Sequence, residues 1–241
     1  MTRQERDPDD GSPLPRTELS DRIGEIFPPA GLRIISGDLE LRGIGPDEAL
    51  ALLAVAQRGV HPPEKMPFGF PWTDAPADEL PLNFLQWWAR HITTFNRERW
   101  GLDLAVVWQG RMVGVQGVET QDFLATRVGE TGSWLGLEFH GRGIGTAMRA
   151  LWCTFLFDHL DFEALASGSL EGNEASLRVS EKTGYRPNGV TWVAPRGERI
   201  AVRRMLLRPE DLTSRPALQI SGLEPLRRFL GLDTPATQSS D

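Results

Sequence analysis

Cysteine is almost absent: Cys153 is the single cysteine in 241 residues, so no internal disulfide can form. The thiol is expected as a small buried group in a reducing compartment, the cytoplasm. Long apolar runs are missing too. No stretch of about 18 apolar residues occurs, and the first 25 residues are charged and proline-containing rather than basic and then apolar, so neither membrane spanning nor export is expected. Positive charge is in deficit, with 26 Lys and Arg against 33 Asp and Glu for a net -7. That balance excludes a broad basic face for nucleic acid and favours cationic partners such as polyamines, aminoglycosides or basic peptide ends. The 4 histidines, His61, His91, His140 and His159, show no metal-ligand spacing, so no metal is expected. No Gly-Lys pair exists to build a P-loop, and no internal repeat is visible.

What is present suits one globular domain with appendages. The chain is 40% hydrophobic, and its composition divides it into a mobile N-terminal tail over 1–26, a domain over 27–213 and a C-terminal extension over 214–241. Within the extension, Leu223, Leu226 and Leu230 share one helical stripe, which docks either on the domain or on a partner, and the closing TPATQSSD reads as a mobile end. From Leu39 onward the patterning predicts a strand (LELRGI), a helix over 46–57, a loop rich in proline and aromatics, and a long helix around FLQWWARHITTF. Two β-rich runs, 103–109 and 112–119, predict a hairpin across Gly110 and Arg111, and GVTWVA and RIAVRRMLL predict a closing antiparallel pair. The fold class is α+β with a central mixed, mostly antiparallel sheet flanked by helices.

The densest signal is FHGRGIGTAMRALW, Phe139 to Trp152, with three glycines at every second position. TGSWLGL, 131–137, predicts a strand leading in; Ile144, Met148, Leu151 and Phe155 predict an amphipathic helix leading out to about His159. A strand, a glycine turn and a helix start aim several backbone N–H groups and the positive end of a helix dipole at one point, which suits a phosphate. A glycine-rich turn with no ligand accounts equally for these residues alone. A dinucleotide-binding fingerprint does not fit, because Thr146 or Met148 stands where its last glycine or alanine belongs.

Downstream, EALASGS at 163–169 predicts a second strand, and in LEGNEASLRVSEKTGY Asn173 caps a helix that stops at Gly184. HGRGIG at 140–145 resembles the coenzyme A pyrophosphate loop of the GNAT N-acyltransferases, Gln/Arg-x-x-Gly-x-Gly/Ala, and NEASLRVSEKTGY resembles that family's later helix. The likeness runs from about Leu32 to Leu212 and is strongest to the branch containing the ribosomal-protein N-terminal acetyltransferases. It departs from the pattern at His140, where Gln or Arg is usual.

The resemblance implies direct transfer of an acyl group, acetyl or larger such as succinyl, from acetyl-CoA or another acyl-CoA to a primary amine of a peptide, protein or small molecule, in the manner of EC 2.3.1 enzymes. It places His140, Gly141, Arg142, Gly143, Ile144, Gly145 and Thr146 at the pyrophosphate, and the main chain around Leu135 to Leu137 along the pantetheine, where one N–H would meet the thioester oxygen. Asn173 and Ser176 match residues facing the pantetheine and the sulfur, although Asn173 is also explained as a plain helix cap. The tyrosine that many relatives use to protonate the departing thiolate is replaced by Ser180, and the chain's only tyrosine, Tyr185, occupies a packing position. Glu130 is the first candidate base, against a solvated strand-end carboxylate; Glu119 and Asp122 are second choices, and Asn188 stands where the N-terminal acetyltransferase branch often has an acid. Phe68, Trp72 and Glu119 are placed at the acceptor, the aromatic pair being equally explained as a cluster pinning its own loop. A homodimer is compatible with this reading. The rival is an acyl-CoA-binding sensor or interaction module without useful catalysis.

Overall fold

The computed structural model describes residues 17–233. The expected tail residues 1–16 and the closing 234–241 lie outside the described residues. In chain order the elements are α1 (Glu18–Ile26), α2 (Pro28–Gly31), β1 (Arg33–Ser36), β2 (Leu39–Gly43), α3 (Pro46–Gln57), α4 (Leu80–Thr93), β3 (Gly101–Trp108), β4 (Arg111–Thr120) and α5 (Phe123–Thr126). There follow β5 (Val128–Leu135), α6 (Ile144–His159), β6 (Ala164–Leu170), α7 (Glu174–Thr183), β7 (Arg186–Val193), β8 (Ile200–Leu207), β9 (Gln219–Ser221) and α8 (Leu223–Leu230). Nine strands form one sheet in the order β7-β8-β6-β5-β4-β3-β2-β1-β9. Only β5 and β6 pair in parallel, because α6 crosses between them. No helix among the described residues is long and apolar enough to cross a membrane.

Strand alternation sorts the core into two layers. Leu102, Leu104, Val106, Val118 and Leu135 face α6 and join Ile144, Met148, Leu151, Trp152 and Phe155 in one cluster. Ala105, Val115 and Trp134 face the other way, toward α3 and α4, with Leu52, Leu53 and Phe84. The β3–β4 hairpin turns one residue earlier than its sequence pattern predicts. Gln109 and Gly110, at φ 49 and 79, form the turn, and Trp108 pairs with Arg111. A two-residue turn with both central residues at positive φ matches the twist of the strands it joins.

Residues 18–26, expected as tail, form α1 instead. Leu19, Ile23 and Ile26 stand at helical spacing, yet Leu19 and Ile26 face solvent, and polar contacts hold the helix. Thr17 caps it, the Ser20 amide bonding to Thr17 Oγ1 at 3.4 Å, while the hydroxyls of Thr17 and Ser20 both donate to Asp47 on α3, at 2.8 and 2.6 Å.

The C-terminal extension docks in cis. β9 pairs with β1 from Arg33↔Ser221 to Ile35↔Gln219 and covers what would otherwise be a free sheet edge. Behind it, Leu226 and Leu230 of α8 are buried, and Phe229 lies 4.3 Å from Phe95 and 5.5 Å from Phe27, centroid to centroid. Since Leu226 is fully buried, Leu226→Ala is expected to lower the unfolding free energy by about 2–5 kcal/mol in urea denaturation. A change under about 0.5 kcal/mol would mean that the extension is not part of the cooperative unit.

Candidate active site

The site is built on the point where β5 and β6 part. Their parallel ladder runs from Val128↔Ala164 to Thr131↔Ser167 and stops, whereas β4 follows β5 as far as Gly114↔Leu135. Gly136 N–H bonds Val113 O at 2.8 Å, so the even residues of β5 direct their main-chain groups at β4. By the alternation of an antiparallel ladder, Ser133 and Leu135 direct theirs into the gap beside β6. These are free strand positions inside a sheet, where an extended ligand can pair as an added strand.

At the far end of β5 the chain passes through a 3-10 turn, Leu137–Phe139, into the glycines. Gly141 and Gly143 adopt φ 76 and 81, a left-handed region that a side chain resists, and a Cβ on either would meet nothing within 4 Å. The space over the loop is open. Ala147 N–H to Gly143 O is the first bond of the α6 ladder, leaving the first-turn amides of Ile144, Gly145 and Thr146 without an intrahelical partner. Such a turn offers main-chain donors to one point, and the open space and orphan amides are of a kind that can receive a pyrophosphate. Arg142 stays exposed, its guanidinium 6.0 Å from the Trp108 ring centroid.

Two expected contacts are redirected. His140 turns back on the strand, its Nε2 3.0 Å from Leu135 O, and so ties the loop to β5 with the ring that the motif would place near a phosphate. The Leu137 amide donates to Gly59 O at 2.9 Å, so of the Leu135 to Leu137 segment only Leu135 keeps an N–H facing the gap. Across the gap, Asn173 caps α7, its Oδ1 accepting from the Ser176 amide at 3.2 Å. The Ser176 side chain is half-buried, and no partner of its hydroxyl is seen among the described residues. Ser180 is buried and Tyr185 lies beneath the sheet, its OH 2.8 Å from Thr131 Oγ1 and 3.6 Å from Cys153 Sγ. Burial pushes the Tyr185 phenol far up and the Cys153 thiol up to about 11, so both keep their protons.

The face toward α4 carries acids in a row. Glu119 stands directly opposite Glu130 across β4 and β5, a like-charge pair that needs counter-charges. Arg204 of β8 supplies one, with Nη1 and Nη2 at 2.7 and 2.6 Å from the two Glu130 oxygens. It reaches across β6 because Gly168 lies in its path; a Cβ there would stand 2.9 Å from Arg204 Nη1. The carboxylate expected as a free base is therefore half of a bidentate pair. Glu119 Oε1 lies 3.4 Å from His91 Nε2, and its second oxygen has no partner among the described residues.

His91 was not marked by any sequence signal, yet it organises this face. Its Nδ1 lies 3.1 Å from Trp87 O one turn back on α4, and its Nε2 2.9 Å from Asp103 Oδ2. Glycines make the room: a Cβ at Gly117 would collide with Asp103 Oδ1, and one at Gly101 with Glu119 Oε1 at 2.5 Å. Although the sequence spacing shows no metal pattern, folding brings the donor atoms of His91, Asp103 and Glu119 within 4.8 Å of one another. His91 Nε2 lies within ion-pair distance of both carboxylates. Burial works against a charge on His91, but the hydrogen bonds to Asp103 and Glu119 outweigh it and raise the pKa to about 10. Phe68 and Trp72 pack 5.4 Å apart, and Trp72 lies 5.6 Å from Trp134 of β5, so they pin the 61–74 loop while walling the gap from this side. Arg196 clamps that loop to the β7–β8 connection through both oxygens of Asp74, each at 2.7 Å.

A folded pKa above the unfolded value of about 6.5 means that the His91 contribution is complete below pH 6.5 and fades as pH rises toward 10. His91→Gln is thus expected to destabilise by about 1.5–3 kcal/mol at pH 6 and by distinctly less at pH 10, read from urea denaturation of both proteins at each pH. An equal loss at the two pH values would show that the charge contributes nothing.

The comparisons with known proteins agree with this geometry. A YdaF protein of Bacillus subtilis (strain 168), carried under the provisional name ribosomal N-acetyltransferase, is 29% identical over 102 residues, which are 42% of this chain and 53% of the relative. The chain thus spans about half the length of that curated relative. Among solved structures, Mycobacterium smegmatis RimJ in complex with CoA-disulfide superposes with a TM-score of 0.60 at 18% identity, covering 82% of this chain and 92% of that one. RimL, a ribosomal L7/L12 alpha-N-protein acetyltransferase in complex with coenzyme A, gives 0.56 at 17%, covering 72% and 96%. At such identities the superpositions speak for the fold. The profile of the acetyltransferase (GNAT) domain matches residues 38–186, well over half the sequence, and the chain belongs to that family.

Proposed function

We propose that this protein is an N-acyltransferase that moves an acyl group from acyl-CoA directly to the primary amine of a peptide or protein, in the cytoplasm. The observation that carries the reading is the alignment of three features along one line: the open glycine cradle at the start of α6, the gap-facing main chain of Leu135 and Ser133, and the end of the β5–β6 ladder at Thr131↔Ser167.

The coenzyme, when bound, supplies an activated acyl thioester. Gly143 and the amides of Ile144, Gly145 and Thr146 would hold its pyrophosphate, while Ser133 and Leu135 would pair with its extended arm. The Leu135 N–H is the donor for oxygen charge that develops during transfer. Ser176, half-buried at the start of α7, is the hydroxyl set toward the sulfur. No phenol is available, and none is required, since a thiol with a pKa of about 8.5 departs as thiolate near neutral pH. The amine enters past Trp72 and Trp134 onto the acid row. Glu119, with a free oxygen, takes the role first assigned to Glu130, and Glu130 with Arg204 fixes the floor beside it. An α-amine of pKa about 8 makes a smaller demand on so exposed a base than a lysine of about 10.4. The names of YdaF and RimL, which refer to ribosomal proteins and, for RimL, to an α-amine, point the same way.

Gly143→Glu fills the cradle with a like charge and is expected to weaken coenzyme A binding in calorimetry by at least about tenfold, or 1.4 kcal/mol. Gly143→Ala, which adds the backbone strain without the charge, should lose much less. Equal affinities for wild type and a folded Gly143→Glu protein would remove the cradle from the site. Thiol release from acetyl-CoA with a peptide bearing a free N-terminus tests transfer itself, and micromolar binding without release from any amine would leave only a coenzyme-binding module.

A further inference from the structure

α6 carries one charge where the rest of its stripe is apolar. Arg149 is 3% exposed, yet its guanidinium meets no carboxylate among the described residues. It donates from Nε to Gln116 Oε1 at 3.2 Å, from Nη1 to Thr131 Oγ1 and Ser167 Oγ at 3.3 Å each, and from Nη2 to Ser133 Oγ at 3.0 Å. Every acceptor is neutral. A guanidinium has five N–H donors, and with four used the remaining proton belongs to Nη2, the nitrogen bound to Ser133. A buried cation without an anion is costly, and a structure keeps one most readily where an anion will arrive.

Its position says which anion. Thr131 and Ser167 are the last paired residues of the β5–β6 ladder, and Ser133 is the half-buried residue just beyond them on the edge of the gap. The guanidinium therefore floors the apex of the gap from the α6 side, where the arm laid along Ser133 and Leu135 ends. The lining there is hydroxyl and amide, from Thr131, Ser133, Ser167 and Gln116, a poor surface for a methyl group and a good one for a carboxylate.

We propose that Arg149 selects the acyl group, receiving the distal carboxylate of a short dicarboxylic acyl chain of which succinyl is the simplest test case. This rests on the acyltransferase reading of the same site. The chemistry at the thioester is unchanged by the choice. The amine nitrogen forms a C–N bond to the carbonyl carbon, the C–S bond breaks with its electron pair leaving on the thiolate, one amine proton passes to base or water, and the distal carboxylate takes no part. Its negative charge is what Arg149 reads, through Nη2 and a rotation of the Ser133 hydroxyl.

Calorimetry on the full chain with coenzyme A, acetyl-CoA, butyryl-CoA and succinyl-CoA tests this, since butyryl matches succinyl in length and lacks only the carboxylate. Succinyl-CoA is expected to bind at least about tenfold tighter than butyryl-CoA, as one charge-assisted contact allows, and Arg149→Met should bring that ratio toward one. The ratio of turnover with the two donors, followed by thiol release, should move with it. Equal affinities for succinyl-CoA and butyryl-CoA in the wild-type protein would overturn the proposal without any variant having to fold, and would leave Arg149 as a clamp between strands. So would a ratio that Arg149→Met does not change. Failure of coenzyme A itself to bind would instead overturn the parent reading, and this one with it.

Discussion

The candidate site depends on two parallel strands that stop pairing. β5 and β6 share four register positions and then part after Thr131↔Ser167, while β4 and β8 keep each of them in the sheet on its outer side. A sheet interior does not ordinarily leave main-chain donors and acceptors unpaired, because each buried orphan costs about as much as a lost hydrogen bond. Here the ladder nevertheless ends at Thr131↔Ser167, and an added strand would pair what it leaves unpaired. The glycine turn and α6 follow β5 after a single 3-10 turn, Leu137–Phe139, so the segment that leaves the opened strand ends in a helix N-terminus near the opening.

The apex of the gap is held from both faces by arginines of different kinds. On the α4 face, Arg204 reaches over Gly168 to Glu130 and forms a closed ion pair that ties β8 to β5 across β6. On the α6 face, Arg149 touches β4, β5 and β6 at once through Gln116, Thr131, Ser133 and Ser167 and has no counter-ion among the described residues. The first is a satisfied structural element whose charges cancel. The second leaves a net positive charge under the place where the acyl group would lie. Meanwhile His91 pairs with part of the acid row and leaves Glu119 with the fewest partners of the three carboxylates Asp103, Glu119 and Glu130.

Much of this was legible in the sequence because it is local. The strand, glycine and helix order at 131–159, the Asn173 cap and the Gly184 stop are encoded within a few residues of where they act, and their elements lie within a few residues of the expected ends. Elements that rest on distant partners were not legible. β1 and β9 are short strands that exist by pairing with each other 186 residues apart along the chain at Ile34↔Ile220, although the apolar stripe of α8 did foretell a docked extension. α1 is fastened by hydroxyls to Asp47 and shows no apolar stripe turned to the core. The site residues divide in the same way. Gly141 and Gly143 could be placed from spacing, but the loss of the Leu137 amide to Gly59, and of Glu130 to Arg204, follows from contacts that no short window contains. Arg149 did have a signal, a single charge inside the run MRALWCTFLF, which a helix buried nearly all round should not carry without a reason.

The central claim is that the coenzyme arm completes the sheet between β5 and β6. Amide hydrogen exchange resolved by residue in NMR, with and without coenzyme A, measures that contact at the main chain itself. The account requires the Ser133 and Leu135 amides, which face the gap, to slow by at least about tenfold on binding, while Leu137, already bonded to Gly59, changes little. Binding that leaves Ser133 and Leu135 unprotected, with protection confined to other parts of the chain, would contradict it.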